Sequence, residues 1–167
     1  MAAICSDTGW LWFSNTDSRA LRAVGHWIDL GARPDELYRE LYECDRPQRL
    51  ALMARALSSL QLHGDGRLAI MSLTREDFAA TGAELDETEN IINEAMRIAS
   101  VEVAALLVEG AEKIRASLRS KSTVDVAAVA QTFGGGGHAR AAGFRSSEPM
   151  VVLAGKIAQA VEKRLGD

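Results

Sequence analysis

The chain has 167 residues, of which 47% are hydrophobic and 25% are charged, with three prolines and 14 glycines. The length allows one ordinary domain, or a small domain with an appended segment. The composition is that of a soluble globular protein and excludes a disordered or proline-rich linker protein. The apolar runs are shorter than the ~20 residues of a membrane span, and the N-terminus lacks a basic-then-apolar leader, so we expect a cytoplasmic protein.

Charge is divided unevenly along the chain. Residues 1–110 carry 10 Lys and Arg against 18 Asp and Glu, whereas residues 111–167 carry 9 against 5. A basic segment on an otherwise acidic chain favours an anionic ligand for the C-terminal third.

The first 46 residues predict elements that lack a complete core. In chain order we expect the end of a buried strand at 2–5, a short alternating segment at 10–13, and helices at about 17–30 and 35–42. So few elements cannot enclose a core. We therefore interpret residues 1–46 as the remnant of a truncated α/β domain whose N-terminal part is missing.

The rest of the chain predicts a connecting helix followed by a compact α/β domain. We expect a helix at about 47–62, a turn at 64–66, a strand at 68–73, helices at 75–81 and 87–99, strands at 101–109 and 114–119, a helix at 124–133, a strand at 141–144 and a helix at about 148–165. This order is typical of a mixed β-sheet flanked by helices. The predicted boundaries are 47–64 for the connecting helix and 65–167 for the α/β domain.

The most specific motif is a run of four glycines, Gly134 to Gly137, followed by His138. Glycines end the predicted helix, and they let backbone N–H groups converge on an anion with no side chain in the way. His138 can donate to a phosphate oxygen. A flexible loop between a helix and a strand is the alternative. We favour a phosphate site formed by Gly135, Gly136, Gly137 and His138.

A second motif, Ser117-Leu118-Arg119-Ser120, ends a predicted strand. Because side chains alternate along a strand, Ser117 and Arg119 share a face. The guanidinium is a forked, permanently charged donor and the hydroxyls are neutral donors, a combination suited to phosphate. Alone, the segment also fits a solvated strand end. Beside the glycine–histidine run, it predicts phosphate contacts from Ser117, Arg119 and Ser120.

A third motif, Asp7-Thr8-Gly9, follows the first predicted strand. A carboxylate at the carboxyl end of a strand is a common position for a metal ligand, although three residues alone also fit an ordinary turn. Asp7 is the candidate metal ligand of this sequence.

Together these motifs resemble the C-terminal half of the DHH phosphoesterases, in the branch of nano-RNA and phosphoadenosine phosphatases. The resemblance implies that Asp7 belongs to the family's two-manganese domain, and that Arg119, Gly136, Gly137 and His138 are substrate-binding positions of the DHH-associated domain. Neither Asp-His-His nor His-x-Asp-x-Asp occurs in this sequence, and one Asp cannot hold two metal ions. Manganese is therefore expected in the complete protein, and stable binding by this chain alone is not.

The resemblance also implies a function and partners. The chain is expected to bind a nucleotide or a short single-stranded RNA or DNA through its phosphates, within a phosphoesterase, and to be inactive alone. The expected partners are a missing N-terminal DHH domain and a second copy in a homodimer, with no membrane. Three alternatives stay open: a nucleic-acid-binding module without catalysis, a phosphodiesterase for cyclic or linear dinucleotides, and a polyphosphate-type phosphatase.

Overall fold

The computed structural model describes residues 1–11 and 15–166, which form two compact units, Met1–Asp45 and Arg46–Asp167. The first unit is helical, with α1 (Ala2–Asp7), α2 (Ser18–Asp29) and α3 (Pro34–Tyr42). Asp17 caps α2, because its carboxylate accepts from the backbone N–H groups of Arg19 and Ala20 at 2.9 Å each. Helices α2 and α3 were both predicted from their caps and apolar spacing.

The strand predicted at 2–5 is wrong, because this segment forms helix α1. Alanine has the highest helix propensity, and Ala2 and Ala3 open the helix. In its last turn the Thr8 hydroxyl donates to the Ile4 carbonyl at 2.7 Å. Trp10 and Leu11, the start of the alternating segment, lie in a turn with φ of 57° and 68°. The rest of that segment, 12–13, lies outside the described residues.

The second unit is built on a six-stranded sheet with the order β1-β2-β3-β4-β6-β5. Its strands are β1 (Gln61–His63), β2 (Leu68–Leu73), β3 (Val103–Glu109), β4 (Ile114–Ser120), β5 (Gly136–His138) and β6 (Ala141–Ser146). Strands β2 and β3 are parallel and every other pair is antiparallel. The sheet is mixed, as predicted.

Helices cover the sheet on both faces. They are α4 (Pro47–Ser58), α5 (Arg75–Thr81), a 3₁₀ helix (Leu85–Thr88), α6 (Ile92–Ala95), α7 (Val126–Gln131) and α8 (Met150–Leu165). One apolar core joins the sheet to α7 and α8, and a second joins β2 and β3 to α4 and α6. Leu52 and Ala56 of α4 are fully buried in the second core, so α4 is part of this unit. None of the described helices is long and apolar enough to cross a membrane.

Three predicted elements differ in the second unit. The helix predicted at 47–62 ends at Ser58, and Gln61–His63 form the edge strand β1. The helix predicted at 87–99 is replaced by the 3₁₀ helix and α6, because Asn90 takes a left-handed φ of 63° that a continuous helix cannot contain. The glycine run is not a loop throughout, since Gly136–His138 form the strand β5.

The Glu102 carboxylate holds the segment that follows β4. Its Oε1 accepts from the backbone N–H groups of Thr123 at 2.7 Å and Ser122 at 2.8 Å, and from the Ser120 hydroxyl at 3.2 Å. Burial raises the pKa of Glu102, but the hydrogen bonds from Ser122, Thr123 and Val124 outweigh it and lower this pKa to about 2. The charged carboxylate therefore fixes the connection between β4 and α7.

We expect Glu102→Gln to lower the free energy of unfolding by about 1–2 kcal/mol at pH 7, because the charged acceptor is lost. The folded-state pKa of about 2 lies below the ordinary 4.5. The stabilisation is therefore complete above about pH 4.5 and disappears as the pH falls towards 2. Urea unfolding of both proteins at pH 7 and at about pH 3 should show a smaller difference at the lower pH. An equal difference at both values would contradict a role for the charge.

Candidate phosphate-binding face

Strand β4 separates apolar from polar side chains. Its alternate residues Ile114, Ala116 and Leu118 are buried in the core with α7 and α8. Arg115, Ser117 and Arg119 therefore lie on the opposite face of the sheet. The apolar core on this opposite face contains buried strand residues of β2 and β3. The polar side chains of β4 lie beside that core, in the half of the sheet formed by β4, β6 and β5.

The strand register brings the predicted phosphate-binding residues onto this one face. Arg119 pairs with Ala141 of β6, and Ala141 pairs with His138 of β5. Ser117 and Gly136 both pair with Gly143. At ~4.8 Å between strands, the backbones of Arg119 and His138 lie about 10 Å apart, with only the methyl group of Ala141 between them. We call this surface the basic face, and its residues are Arg115, Ser117, Arg119, Gly136, His138, Ala141, Gly143 and Arg145.

In the part of the chain that the structure describes, the donors on the basic face lack carboxylate partners. The Arg119 Nη1 donates to the carbonyl of Leu118 at 3.2 Å. Within the described part of the chain, none of Arg115, Arg119, His138 and Arg145 forms an ion pair. His138 and Arg145 are exposed and Arg115 and Arg119 are half-buried, so this face presents positive charge that an anion could neutralise.

The four glycines serve different purposes. The N–H groups of Gly134 and Gly135 donate to the carbonyls of Gln131 and Ala130, at 3.0 and 2.9 Å, so they end α7 rather than face an anion. A Cβ on Gly135 would overlap the carbonyl oxygen of Gly143 and the Cβ of Phe144. A Cβ on Gly136 would meet no atom within 4 Å. A Cβ on Gly134 would also meet no atom within 4 Å, but its φ is +75°, so Gly136 is the glycine of this run that has both open space and a backbone conformation open to other residues.

Gly137 allows the glycine-run strand to approach its neighbour. Its φ is +143°, and a Cβ there would lie 2.6 Å from the Ala141 carbonyl oxygen and from the Ala142 Cα. β5 is an edge strand, and an edge strand leaves backbone N–H groups unpaired on its free side. His138 follows at the end of β5 and shares the basic face with Gly136.

Ser120 lies away from the other predicted site residues. As the neighbour of Arg119 on β4 it lies on the opposite face, where its side chain is buried. Its hydroxyl donates to Glu102 at 3.2 Å and accepts from Nη1 of Arg140 at 3.4 Å. Arg140 also donates to the carbonyl of Val124 at 3.4 Å. The structure thus brings Ser117, Arg119, Gly136 and His138 together and leaves Ser120 in the framework behind them.

Asp7, the predicted metal ligand, belongs to the first unit. It ends α1 and is exposed. The side-chain amide of Asn15 donates to the Asp7 carbonyl at 3.1 Å and to its Oδ2 at 3.4 Å. In the part of the chain that the structure describes, no group of three or more His, Cys, Asp or Glu could hold a metal ion. A single hydrogen-bonded carboxylate does not fit a two-manganese centre.

Two residues of the basic face escaped the sequence analysis. Arg115 lies four positions before Arg119 on the same strand, so the alternation that selected Ser117 and Arg119 also selects it. Arg145 lies opposite Arg115 only because β6 pairs with β4 in this register. Pattern alone could have found the first residue, and only the fold could find the second.

Comparison with known proteins identifies the family of the second unit. The model of the DHHA1 domain family matches residues 66–166. The chain is 29% identical over 143 residues to the bifunctional oligoribonuclease and PAP phosphatase NrnA of Thermus thermophilus, which is 86% of this chain and 42% of that protein. It is 29% identical over 143 residues to the NrnA of Bacillus subtilis, covering 85% of this chain and 44% of that protein.

A solved structure shows the same fold. The exopolyphosphatase-related protein of Bacteroides fragilis superposes with a TM-score of 0.90 at 28% identity, over 96% of this chain and 47% of that one. The chain spans less than half the length of the curated relatives it matches, and the match lies in their C-terminal part. The resemblance inferred from the motifs is confirmed. The chain belongs to the DHHA1 domain family, the domain associated with DHH phosphoesterases.

Proposed function

We propose that this chain is the substrate-binding part of a DHH phosphoesterase, and that its basic face holds the phosphates of a nucleotide or a short single-stranded oligonucleotide. The observation that carries the proposal is the register of three strands. It places Arg119, Ser117 and His138 on one face of the sheet beside Gly136, and among the described residues neither Arg119 nor His138 forms an ion pair. Two motifs 14 or more residues apart in sequence thus meet on one surface.

Each group has a distinct part in holding a phosphate. The Arg119 guanidinium supplies forked, charge-assisted hydrogen bonds to two phosphate oxygens. His138 supplies a ring N–H from β5, on the other side of β6, and Ser117 supplies a neutral hydroxyl donor. Gly136 and Ala141 leave the surface between them low enough for the anion to approach. These residues bind and orient a substrate, and none of them carries out hydrolysis.

The hydrolytic centre of this proposal lies outside the chain. The NrnA relatives are more than twice as long as the region that matches. In the first unit, Leu21, Trp27 and Ile28 on one side of α2 remain 53%, 44% and 46% exposed, although their spacing is that of a core-facing stripe. A DHH domain that covers this stripe would supply the manganese ligands that are needed in addition to Asp7. The basic face would then contribute to the reaction by holding the substrate in the orientation that the hydrolytic centre requires.

A second candidate ligand, inorganic polyphosphate, is favoured by one observation. The Bacteroides fragilis structure is described as exopolyphosphatase-related, and it shares this fold at a TM-score of 0.90. Polyphosphate offers the same anionic oxygens without sugar or base. The arginines and His138 would bind both compounds, so competition between them separates the two candidates.

We expect Arg119→Gln to weaken binding of a fluorescently labelled adenylate trinucleotide about tenfold, the size of one charge-assisted hydrogen bond. Fluorescence anisotropy at low salt measures this change, because phosphate contacts weaken as salt rises. Lys163→Gln is the matched control, since Lys163 is an exposed residue of α8, across the sheet from the basic face. It removes the same charge and should change the affinity less than twofold.

The same assay tests the proposed function as a whole. Unlabelled trinucleotide should displace the probe at lower concentration than polyphosphate of equal phosphate content. More effective displacement by polyphosphate would favour the second candidate. Equal affinities of the wild type, Arg119→Gln and Lys163→Gln proteins would contradict the proposed site.

A further inference from the structure

We propose that Arg115 and Arg145 form a second phosphate subsite on the basic face, which binds a further phosphate of a single-stranded oligonucleotide. The inference rests on the proposed function and adds a length requirement to it. The first subsite, Arg119 with His138, takes one phosphate. The second subsite is occupied only when the ligand is a chain long enough to reach it.

The two arginines face each other across neighbouring strands. Arg115 of β4 and Arg145 of β6 are direct partners in the antiparallel register, so their side chains lie on the same face. Like charges directly opposite each other destabilise a strand pair. No ion pair compensates either residue within the described chain. Two adjacent uncompensated guanidiniums form a site that an anion would stabilise.

A shallow depression lies between these arginines and the first subsite. It measures about 340 Å³ and is lined by Arg115, Ala116, Ser117, Gly143, Phe144 and Arg145. Arg115 is held in place at its rim, because its Nη2 donates to the hydroxyl of Thr88, which is itself buried and donates to the Leu85 carbonyl at 2.6 Å. The Nε of Arg115 is buried and has no hydrogen-bond partner among the described residues. One guanidinium is thus oriented in advance, and Arg145 is exposed opposite it.

The spacing of the two subsites favours an oligonucleotide. Arg115 and Arg119 are four residues apart on β4, which corresponds to about 13 Å along the strand. Arg115 donates to the Thr88 hydroxyl and Arg119 to the Leu118 carbonyl, so a single phosphate would contact both only if the two side chains left these contacts and extended towards each other. The surface between them holds Ser117 and Gly143, which are small and uncharged. This interval fits two phosphates that are two nucleotide steps apart in an extended single strand, with the phosphate between them near the Ser117 hydroxyl. The phosphates of an inorganic chain are more closely spaced, so such a chain would place more charges over this uncharged surface.

The experiment compares ligands of different length with one variant. Dissociation constants of adenosine 5′-monophosphate and of a 5′-phosphorylated adenylate trinucleotide are measured by NMR titration of the full chain. We expect the trinucleotide to bind wild type about tenfold more tightly than the monophosphate. Arg145→Gln should weaken trinucleotide binding about tenfold and monophosphate binding less than twofold. Arg145 is exposed, so the variant should fold; Lys163→Gln should match wild type.

Any other result would overturn either the second subsite or the proposed function. Equal weakening for both ligands, or no weakening for either, would overturn the second subsite. Trinucleotide binding no tighter than monophosphate binding in the wild type would also overturn it, while the proposed function stands. Absence of binding for both ligands in the wild type would overturn the proposed function itself. Arg145→Gln should weaken the binding of a deoxyadenylate trinucleotide as much as the binding of the adenylate trinucleotide. A loss of affinity for the ribonucleotide alone would contradict a phosphate contact.

Discussion

Replacing Gly135 with alanine should lower the free energy of unfolding by about 3 kcal/mol, the upper range for an inserted methyl group without room. The added Cβ would overlap the Gly143 carbonyl oxygen and the Phe144 Cβ. Phe144 cannot withdraw easily, because it is 5% exposed and its ring stacks on Phe133 at a centroid distance of 4.5 Å. Urea unfolding at pH 7 measures the loss.

Gly136→Ala provides the matched control within the same run. Its Cβ would meet no atom within 4 Å, and its φ is not positive, so stability should change by less than about 1 kcal/mol. The new methyl group lies on the basic face and should weaken trinucleotide binding. The two neighbouring glycines thus separate packing from binding. Equal loss of stability in both variants would contradict the positions described for them.

The double variant Arg119→Gln with His138→Asn should weaken trinucleotide binding about a hundredfold. Each residue contributes about 1.4 kcal/mol through a charge-assisted hydrogen bond, and 1.4 kcal/mol is a factor of ten. The residues lie about 10 Å apart on strands that flank β6 but share one phosphate, so any departure from the product of the two single effects measures their coupling through that phosphate. Anisotropy titration measures the double variant beside both single variants.

Stability must be unchanged for this result to report on binding. His138 is exposed and Arg119 is half-buried with one backbone contact at 3.2 Å, so thermal unfolding of the double variant should match that of wild type. Binding that falls no further in the double variant than in Arg119→Gln would remove His138 from the site. Unchanged binding would show that the glycine–histidine run has only a structural role.

Elements with strong local signals were predicted closely from the sequence. Strand β2 and helix α5 agree to the residue, because a continuous apolar run and a Thr74–Asp77 capping box define them. The predictions failed at segments where helix propensity or backbone conformation outweighed the apolar pattern. Residues 2–5 read as a strand from apolar character alone, although alanine favours a helix. The left-handed Asn90, which divides the helix predicted at 87–99, has a weak local signal.

The site was predictable in its parts and not in its arrangement. Alternation along β4 placed Ser117 and Arg119 on one face, and glycine composition marked the segment before His138. That these segments meet depends on β6 lying between β4 and β5, a pairing over non-neighbouring strands. The same pairing adds Arg145 and turns Ser120 away. A motif therefore identified the chemistry, and only the strand order identified which of its residues act together.

The most direct test of the account is the pattern of amide shifts in a ¹H–¹⁵N NMR titration of the chain with a 5′-phosphorylated adenylate trinucleotide. We predict that the shifted amides cluster on β4, β5 and β6, with the largest changes at Ser117, Arg119, Gly136 and His138 and smaller ones at Arg115 and Arg145. The amide resonances of α8, which lies on the other face of the sheet, should not shift. Shifts concentrated on α8 or in the first unit, with the basic face unchanged, would contradict the central claim that this face binds phosphate.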